Sequence, residues 1–430
     1  MQNKLQIGLI GLGNVGLQVA KELVNNKDHE NYFCLKSILV RSTNKYKKII
    51  DNDQELLENS STMKNLLTEN PEFFFEDNLD VVIELIGGLN PANEYVKTAL
   101  QGKKHVVTAN KELIANNFSE LIKIAKNNKK KLRFEGSVGA GIPVIQVLTD
   151  MLKQNSISRI TGIINGTSNY ILSSMFDHSA DFSNVLAEAQ KLGFAESDPT
   201  DDVDGYDAKY KINILGSIAF GGEIPLNNVS VKGIREVSLK DISYAKDFGY
   251  SIKLLAITER NSNLISSRVS PALVTISHPL ANVNENFNAI EIVGDLVGNL
   301  WVQGEGAGKK STASAILGDL MGIYNSSSGD VELSKNSLEF MDELEIKSKN
   351  YVRLSVSDEF GVLSQISGIF SNNKISIASV VQNDSKDSLE EVDLVIMTHS
   401  SPEKYFIKAM EQIESLSIVK KNPVSIRIHE

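Results

Sequence analysis

A strand that runs directly into a glycine-rich turn and then into a helix is the feature that most constrains this fold. Leu5–Ile10 alternates like a strand, and Val15–Asn25 has helical periodicity. The glycines between them would serve a tight turn, close backbone approach to a pyrophosphate, and helix–strand packing. A purely structural turn is the alternative. Placement at the first strand of a series favours a dinucleotide site, with predicted contacts at Gly11, Gly13, Asn14, Val15 and Gly16.

Strand-like and helical segments alternate through roughly the first 145 residues. The strand candidates after the first are Leu35–Val40, Val81–Ile86, His105–Val107 and Leu132–Glu135, and the further helix candidates are Pro91–Gln101 and Asn117–Asn127. Strand and helix in repeated alternation are typical of a parallel, doubly wound sheet. The sequence therefore predicts an α/β protein whose residues 1–145 form a Rossmann-like dinucleotide-binding domain.

The pattern changes after residue 146. Strands near Arg159–Ile164 and Arg268–Leu273 flank helical segments at Asn184–Lys191 and Asp207–Phe220, which predicts a separate α+β domain over 146–304. Ser311–Ile323 is predicted to be a helix that packs back on the first domain, so that 305–325 completes it.

The last quarter of the chain has a pattern of its own. A Ser/Asn/Gly-rich stretch, Asn325–Asp330, opens a predicted linker over 326–349. After it, strand, helix, strand, strand, helix and strand follow in order, which is the ferredoxin-like βαββαβ unit and is predicted over 350–430. The segments are Tyr351–Ser357, Leu363–Phe370, Ile375–Val381, Glu391–Met397, Pro402–Ile413 and Val419–Ile428.

Composition excludes several classes of protein. The net charge of −10 argues against nucleic acid as the main partner, and no apolar run approaches the roughly 20 residues needed to span a bilayer. The strand at Leu5–Ile10 begins too early for a cleavable signal to precede it. With Cys34 as the single cysteine, neither an internal disulfide nor a thiolate zinc site can form. We therefore expect a cytoplasmic protein without zinc.

The end of the second strand bears on the choice of cofactor. An Asp or Glu there would accept the ribose 2′-hydroxyl of NAD, but this chain has Arg41, followed by Lys45, Lys47 and Lys48. A cation at this place suits the 2′-phosphate of NADP. A solvated basic loop is the alternative. The sequence favours NADP and leaves NAD open.

Carboxylates are concentrated between residues 196 and 207. They are Glu196, Asp198, Asp201, Asp202, Asp204 and Asp207. Asp207 and Lys211 are spaced to share one face at the start of a helix, whose continuation is strongly apolar. A solvated acidic loop with a surface ion pair is one interpretation. A lysine held beside carboxylates near a core is the other, and it predicts an acid–base group.

Several motifs resemble those of homoserine dehydrogenases, and together they cover essentially the whole chain. They are Glu84-Leu85-Ile86-Gly87-Gly88, the run from His105 to Lys111, the run from Glu135 to Pro143, Asn165-Gly166-Thr167, and above all the block from Ala189 through Pro199 to Lys211. The resemblance implies NADP(H)-dependent interconversion of L-aspartate 4-semialdehyde and L-homoserine, a step of threonine, methionine and isoleucine biosynthesis.

The resemblance also implies roles for particular residues. Lys211 would donate the proton to the alkoxide, Lys111 would bind or polarise the substrate beside the nicotinamide, and Asp202 would orient Lys211. Glu196 and Asp207 would hold the substrate's ammonium group. Thr108, Lys111, Gly193 and Gly306 join the predicted cofactor contacts, while Arg41 follows from the strand-end argument above.

Two further features are implied only by resemblance. The backbone at Glu135, Val138, Ala140 and Ile142 is similar to a loop whose carbonyl oxygens bind sodium or another monovalent cation. Residues from about Tyr351 resemble an ACT domain, in which Asp358, Gly361 and Val362 would bind an amino-acid effector, with threonine the first expectation. A dimerisation module without ligand is the alternative. The expected assembly is a homodimer or homotetramer.

Two rival functions remain at this stage. One is a Rossmann dehydrogenase that acts on a different amino-acid aldehyde or hydroxy acid. The other is a non-catalytic amino-acid sensor that kept a cofactor fold. The block from Glu196 to Lys211 argues against both, because a sensor needs no paired lysine and carboxylates.

Overall fold

The computed structural model describes residues 4–326, 330–333, 337–383 and 391–429. The chain divides into two compact units. The first comprises Met1–Ile160, Tyr210–Leu226 and Asn288–Leu338, and the second comprises Thr161–Lys209, Asn227–Phe287 and Glu339–Glu430. Among the helices of the described residues, none is long and apolar enough to cross a membrane.

The elements follow one another along the chain in three stretches. The first stretch contains β1 (Leu5–Ile10), α1 (Asn14–Asn25), β2 (Phe33–Leu39), α2 (Thr43–Asp51), α3 (Ser60–Asn65), β3 (Leu67–Thr68), α4 (Pro71–Glu76), β4 (Val81–Glu84), α5 (Ala92–Gln101), β5 (His105–Thr108), α6 (Lys111–Asn127), β6 (Leu132–Arg133) and α7 (Val144–Gln146). The second contains β7 (Ile157–Ile163), α8 (Gly166–His178), α9 (Phe182–Leu192), α10 (Thr200–Val203), α11 (Tyr206–Ala219), β8 (Val229–Val231), α12 (Leu239–Asp247), β9 (Tyr250–Asn261) and β10 (Leu264–Thr275). The third contains β11 (Phe287–Gly294), β12 (Gly298–Glu305), α13 (Lys309–Tyr324), β13 (Glu339–Phe340), β14 (Lys347–Ser357), α14 (Val362–Asn372), β15 (Ile377–Asn383), β16 (Glu391–Thr398), β17 (Ser401–Pro402), α15 (Glu403–Glu414) and β18 (Val424–His429).

The first unit is built on a six-stranded parallel sheet. Its strand order is β3-β2-β1-β4-β5-β6, the order of a Rossmann-like fold, which confirms the predicted fold class. The structure adds α2, α3, β3 and α4, for which the sequence analysis gave no elements. The element α6 is kinked at Asn117, which has the non-helical angles φ −132° and ψ 25°, so the predicted helix Asn117–Asn127 is the part after the kink. The part before it, from Lys111, was not predicted. It begins there because Asn110 caps it: its side chain accepts the N–H of Leu113 at 3.0 Å.

Helix α13 belongs to the first unit, although it is distant in sequence. Ala313, Ile316, Leu320 and Ile323 lie in the same buried cluster as residues of β1 and α1. This agrees with the prediction that the helix packs back on the first domain. It starts at Lys309, two residues before the predicted Ser311, and the Ser311 hydroxyl donates to the carbonyl of Gly308 at 3.1 Å.

His105, at the start of β5, is half-buried and makes the stability of the fold depend on pH. Its Nδ1 accepts the N–H of Lys131 at 3.0 Å. Burial, together with Lys130 and Lys131, lowers the pKa of His105 from 6.5 to about 4. Between these values the unfolded chain binds a proton that the folded chain does not, so stability falls as the pH falls from about 6.5 to about 4.

We therefore expect His105→Asn to flatten this dependence, because the Asn Oδ1 can replace the acceptor Nδ1 without titrating. The loss of Tm between pH 7.5 and pH 5 should shrink by a few degrees relative to the wild type, measured by thermal unfolding. His178→Asn, at an exposed position at the end of α8, is the matched control and should leave the loss unchanged. Equal pH dependence in the wild type and His105→Asn would contradict the assignment.

The second unit contains a long mixed sheet. β9 and β10 pair antiparallel over their whole length, from Leu264↔Asn261 to Thr275↔Tyr250. β8 and β13 add to β10 in parallel at one end, and β18 adds in parallel at Ala272–Val274. The sequence predicted a strand near Arg268–Leu273. The pairing of this strand with segments distant in the chain was not predicted.

The C-terminal part of the second unit has the predicted βαββαβ order. Its four strands lie in the order β18-β14-β16-β15, all antiparallel, which is the ferredoxin-like arrangement. Buried side chains of α14 and α15, including Ile366, Phe370, Phe406 and Ile413, pack with those of β14 and β16. The predicted last strand from Val419 starts later, at Val424, because Val419 makes only an isolated bridge to Val356.

The predicted linker over 326–349 is partly structured. Residues 327–329 and 334–336 lie outside the described residues. Glu339–Phe340 forms β13 beside β10, and β14 already begins at Lys347. The pairing partner of β13 is a strand more than 60 residues earlier in the chain. Local composition therefore could not predict this pairing.

Candidate active site

The glycine turn of the first unit has the geometry that a pyrophosphate requires. Gly11 has φ +93°, and a Cβ there would meet the Leu85 carbonyl oxygen at 2.9 Å. A side chain at Gly16 would collide with the carbonyl oxygen of Gly11. At Gly13, by contrast, a Cβ would meet nothing within 4 Å, so this position faces open space. The turn therefore leaves a cradle at the N-terminus of α1, where backbone N–H groups favour an anion.

A pocket of about 370 Å³ opens beside this turn. Gly11 and Gly13 line it together with Arg41, Ser42 and Lys45 from the end of β2 and the start of α2. The strand end that the sequence assigned to the cofactor ribose thus faces the same pocket as the glycine turn. Arg41 is exposed, so its guanidinium is available to an anion without a large desolvation cost.

Glu69, a carboxylate that the sequence analysis missed, also lines this pocket. Its Oε1 accepts the N–H of Thr43 at 2.6 Å and the Thr43 hydroxyl at 2.8 Å. These hydrogen bonds lower the pKa of Glu69, whose carboxylate is therefore ionised near the cations of the pocket. Glu69 follows β3, a two-residue strand with no strong pattern, so the sequence offered little signal for it.

The ends of β4 and β5 are held together by a buried carboxylate. Glu84 accepts the Thr108 hydroxyl at 2.6 Å and the N–H groups of Ile86 and Gly87 at 2.8 and 3.3 Å. Burial raises the pKa of Glu84 despite these donors. Asn110 continues the network, because its N–H donates to the Thr108 hydroxyl at 3.0 Å and its Nδ2 to the Gly88 carbonyl at 2.7 Å. The network fixes the turn that presents Lys111.

Lys111 is the first residue of α6 and is half-buried. It follows directly on the Asn110 cap, at the carboxyl end of β5, which is the edge where ligands bind in open α/β sheets. The structure therefore places Thr108 and Lys111, both predicted from the sequence, on the same strand end. Glu84 and Asn110 lie within the motifs that resemble the family, but the sequence predicted no role for either.

The second unit carries the predicted acidic residues. Asn165 brings two of them together, since its Nδ2 donates to Asp202 at 2.7 Å and to Asp207 at 2.9 Å. Asp207 is buried, with 5% of its surface exposed, whereas Glu196 lies exposed in the segment between α9 and α10. Gly193 caps the end of α9 in the left-handed conformation, with φ +81° and open space around it.

Asp207 and Lys211 lie one turn apart on α11. Only 8% of the Lys211 surface is exposed, which excludes the interpretation of an ordinary surface lysine. Ile212, Ile214 and Leu215, which follow it, are fully buried and anchor the helix. Lys211 belongs to the first unit and Asp207 to the second. Burial of the pair is what the apolar continuation of the helix predicted.

Gly306, in the first unit, has no room for a side chain. A Cβ there would collide with the amide of Asn288, which is completely buried. Neither polar atom of that amide has a hydrogen-bond partner among the described residues. The glycine is required by this close approach, whatever else the turn binds.

The predicted cation loop is a buried turn of the first unit. Ala140 has φ +51°, and Val138, Ala140 and Ile142 are all buried. The carboxylate of Glu135 accepts the N–H groups of Ile145 and Gln146, at 2.8 and 2.7 Å. Within the described ranges, no group of three or more His, Cys, Asp or Glu side chains could hold a metal ion.

The predicted effector turn lies at the start of α14. Gly361 caps this helix with φ +85°, and Val362 is its first residue. Asp358 is exposed, and the side chain of Phe360 is fully exposed. The structure thus confirms a tight turn before the helix. The side chain of Phe360 points to solvent and does not fill the turn.

Comparisons with known proteins agree on one family. The family model described as "Homoserine dehydrogenase, NAD binding domain" matches residues 11–135, that described as "Homoserine dehydrogenase" matches 143–321, and the ACT domain model matches 350–417. A homoserine dehydrogenase from Helicobacter pylori is 38% identical over 438 residues and covers 100% of both chains.

Solved structures agree as well. A homoserine dehydrogenase from Thiobacillus denitrificans superposes with a TM-score of 0.90 at 35% identity over 100% of both chains. A hyperthermophilic archaeal homoserine dehydrogenase in complex with NADPH has a TM-score of 0.64 at 27% identity, and covers 77% of this chain and 100% of that chain.

Proposed function

Because the chain belongs to the homoserine dehydrogenase family and is an NAD(P)-dependent oxidoreductase, we propose that it interconverts L-aspartate 4-semialdehyde and L-homoserine with NADP(H), in the biosynthesis of threonine, methionine and isoleucine. The observation that carries the proposal is the burial of Lys211 one helical turn after Asp207. A buried lysine on a helix that also bears a buried carboxylate is the acid–base group that aldehyde reduction needs.

The reaction develops negative charge on the substrate's carbonyl oxygen as hydride arrives, and the bound nicotinamide supplies that hydride. We assign Lys211 as the proton donor to this oxygen and Lys111 as the cation that binds or polarises the substrate beside it. Asp207 and Glu196 hold the substrate's ammonium group, and Asp202 orients Lys211. In the reverse direction Lys211 takes the proton from the hydroxyl of homoserine.

The glycine cradle and the pocket beside it fit a dinucleotide, since Gly13 leaves open space where a pyrophosphate would lie. We propose Gly11, Gly13, Asn14, Val15 and Gly16 as its contacts, with Thr108, Lys111, Gly193 and Gly306 as further ones. The 2′-phosphate would meet Arg41, with Lys45 beside it on the pocket wall. The NADPH complex of the archaeal relative supports the same preference.

Arg41→Asp tests this preference. It removes a cation from the pocket and adds an acceptor for a ribose hydroxyl, so the ratio of kcat/KM for NADPH over that for NADH should fall by about 10-fold or more, if the phosphate contact contributes about 1.4 kcal/mol. Lys48→Asp makes the same charge change on α2 at a residue that does not line the pocket, and should leave the ratio almost unchanged. An unchanged ratio in Arg41→Asp would show that Arg41 does not face the adenosine ribose.

We further propose that carbonyl oxygens of Glu135, Val138, Ala140 and Ile142 bind sodium or another monovalent cation. Support comes from the buried turn and from the left-handed Ala140, which redirects the backbone. The Ile142 carbonyl already accepts the N–H of Val144 at 2.9 Å, and its second lone pair would face the ion. Comparing turnover in sodium chloride and in tetramethylammonium chloride tests this, and equal turnover argues against the site.

The remaining assignments concern organisation. We propose a dinucleotide-binding domain over 1–145 completed by 305–325, a catalytic and dimerisation domain over 146–304, a linker over 326–349, and a regulatory ACT domain over 350–430. The family-model matches to 11–135, 143–321 and 350–417 support the boundaries near residues 145 and 350. The packing of α13 with β1 and α1 supports the assignment of 305–325 to the first domain. We also propose a cytoplasmic homodimer or homotetramer, with an amino-acid effector at Asp358, Gly361 and Val362.

An absorbance assay at about 340 nm tests the function itself, because reduced nicotinamides absorb there. Purified protein with aspartate semialdehyde should oxidise NADPH faster than NADH. Activity with another amino-acid aldehyde but not with aspartate semialdehyde would favour a different Rossmann dehydrogenase. No oxidation of either cofactor with any aldehyde would favour the non-catalytic sensor.

A further inference from the structure

Asn165 occupies a junction in the second unit. It follows β7 and is the N-cap of α8, and 4% of its surface is exposed. Its Oδ1 accepts the N–H of Ser168 at 2.8 Å, while its Nδ2 donates to Asp202 Oδ1 at 2.7 Å and to Asp207 Oδ2 at 2.9 Å. A side-chain amide has two N–H donors and one carbonyl acceptor, so both donors and the acceptor are in use.

The orientation of this amide is fixed by its partners. Rotating it by 180° would turn its oxygen toward two carboxylates and its NH₂ group toward a backbone N–H, and each new contact would be repulsive. Hydrogen bonds from a donor to ionised carboxylates are stronger than those between neutral groups. The amide therefore sets the distance and the angle between Asp202 and Asp207.

The backbone that carries Asn165 is held equally firmly. A Cβ on Gly166 would meet the Asn286 carbonyl oxygen at 2.9 Å, so the loop before β11 packs directly against the start of α8. The Thr167 hydroxyl donates to the Phe194 carbonyl at 2.7 Å, and the rings of Tyr170 and Phe194 lie 5.0 Å apart. The first turns of α8 thus also hold the segment that bears Glu196.

Capping alone does not explain an asparagine at this position. Ser and Asp cap helices about as well, but Ser cannot bridge two carboxylates and Asp would repel both. We propose that Asn165 is a positioning residue for the reaction, which sets the spacing of Asp202 and Asp207 so that the substrate's ammonium group binds between them correctly. This inference rests on the function proposed above.

Two substitutions that keep the helix cap separate positioning from folding. Asn165→Ser removes both amide donors without adding charge, and should raise the KM for aspartate semialdehyde about 10-fold or more with a smaller change in kcat. Asn165→Asp has the same shape but places a third carboxylate beside the other two. Like charges disfavour ionisation, so it should also move the acid limb of kcat/KM for the reduction by about one pH unit toward higher pH.

Ser168→Ala is the matched control. It removes the hydrogen bond from the Ser168 hydroxyl to the backbone carbonyl of Asn165, at 3.1 Å. The side-chain amide of Asn165 and both carboxylates stay in place. The Tm of Ser168→Ala should fall because a hydrogen bond at the same helix start is lost, while KM and the pH profile stay those of the wild type. The activity of the wild-type enzyme on aspartate semialdehyde is measured before any variant is compared. An inactive wild type would refute the proposed function.

With an active wild type, three outcomes overturn the inference. One is a wild-type KM and pH profile in folded Asn165 variants. Another is a rise in KM that Ser168→Ala reproduces, and the third is failure of both Asn165 variants to fold, which would make the residue structural. If Asn165→Asp alone does not fold, the KM of Asn165→Ser decides.

Discussion

Lys211→Ala should lower kcat by a factor of roughly 10²–10⁴ while the chain folds and keeps its affinity for the dinucleotide. The expected size is that of general acid–base catalysis by a single placed group. Lys211 is buried on α11, a turn after Asp207, and distant along the chain from the glycine turn that is proposed to bind the cofactor. Steady-state turnover at saturating substrate gives kcat, and nicotinamide fluorescence gives the Kd for NADPH.

Two companion variants isolate the chemistry. Lys211→Met keeps most of the buried volume, so a loss of turnover equal to that of Lys211→Ala cannot come from a cavity in the helix packing. Lys209→Ala removes a half-buried lysine two residues earlier on the same helix and should leave kcat within a few-fold of the wild type. Near-normal turnover in both Lys211 variants would move the proton transfer elsewhere, with Lys111 the first residue to test.

Much of the first unit could be predicted because its signals are local. A buried strand reads as a short apolar run, and three glycines at fixed spacing carry steric requirements that the structure shows at Gly11 and Gly16. The parallel direction of the strands then follows from the alternation of strand and helix, whereas their order is seen only in the structure. The segment between β2 and β4 was not predicted, since α2, α3 and α4 are short and β3 has two residues.

The second unit was predicted less well for a physical reason. β10 pairs with β9, β8, β13 and β18, and three of these partners lie outside its own hairpin. Pairing between distant segments depends on the whole fold rather than on local periodicity. The βαββαβ order was predictable because its helices and strands alternate within about 80 residues, with hydrophobic faces of the expected period.

The candidate site shows the same division. Charged residues are easy to recognise in a sequence as candidate site residues. The sequence therefore predicted four that the site contains: Lys111, Asp202, Asp207 and Lys211. Asn165 gives no such signal, because asparagine is common at helix caps and its second use appears only when Asp202 and Asp207 are seen on its amide. Glu84 likewise could not be assigned from sequence, since its partners Ile86, Gly87 and Thr108 meet only at the sheet edge.

The C-terminal ACT domain, the tail of the chain, is more firmly joined to its unit than the predicted linker suggested. β18 pairs with β10 at Ala272, Leu273 and Val274. Asp241, at the start of α12, is completely buried and accepts two hydrogen bonds from the Arg353 guanidinium of β14, at 2.7 and 3.1 Å. The Tyr351 hydroxyl donates to the same carboxylate at 3.1 Å. Removing the tail would therefore take away three hydrogen-bond donors of this carboxylate together with the pairing of β18 with β10.

Truncation after Gly329 should abolish inhibition by threonine, the end product proposed as the effector. The first expectation from the sequence was that the catalytic parts keep most of their activity without the tail. The contacts of the tail modify this expectation: the truncated chain should have a lower Tm, because the pairing of β18 with β10 and the hydrogen bonds from Arg353 to Asp241 are lost together. Thermal unfolding and turnover at several threonine concentrations measure both effects.

A variant of the full chain separates sensing from folding. Gly361 has φ +85°, where a β-branched side chain is strained, so Gly361→Val should distort the turn at the start of α14 while Arg353 and Asp241 stay paired. Inhibition must reflect tighter binding to one conformational state, and couplings of about 1–3 kcal/mol correspond to 5–150-fold changes in affinity. We expect this threonine response to disappear in Gly361→Val at unchanged basal kcat. If the wild-type enzyme ignores millimolar threonine and methionine alike, the tail serves assembly, and Phe360, whose side chain is fully exposed in this turn, is the first residue to substitute.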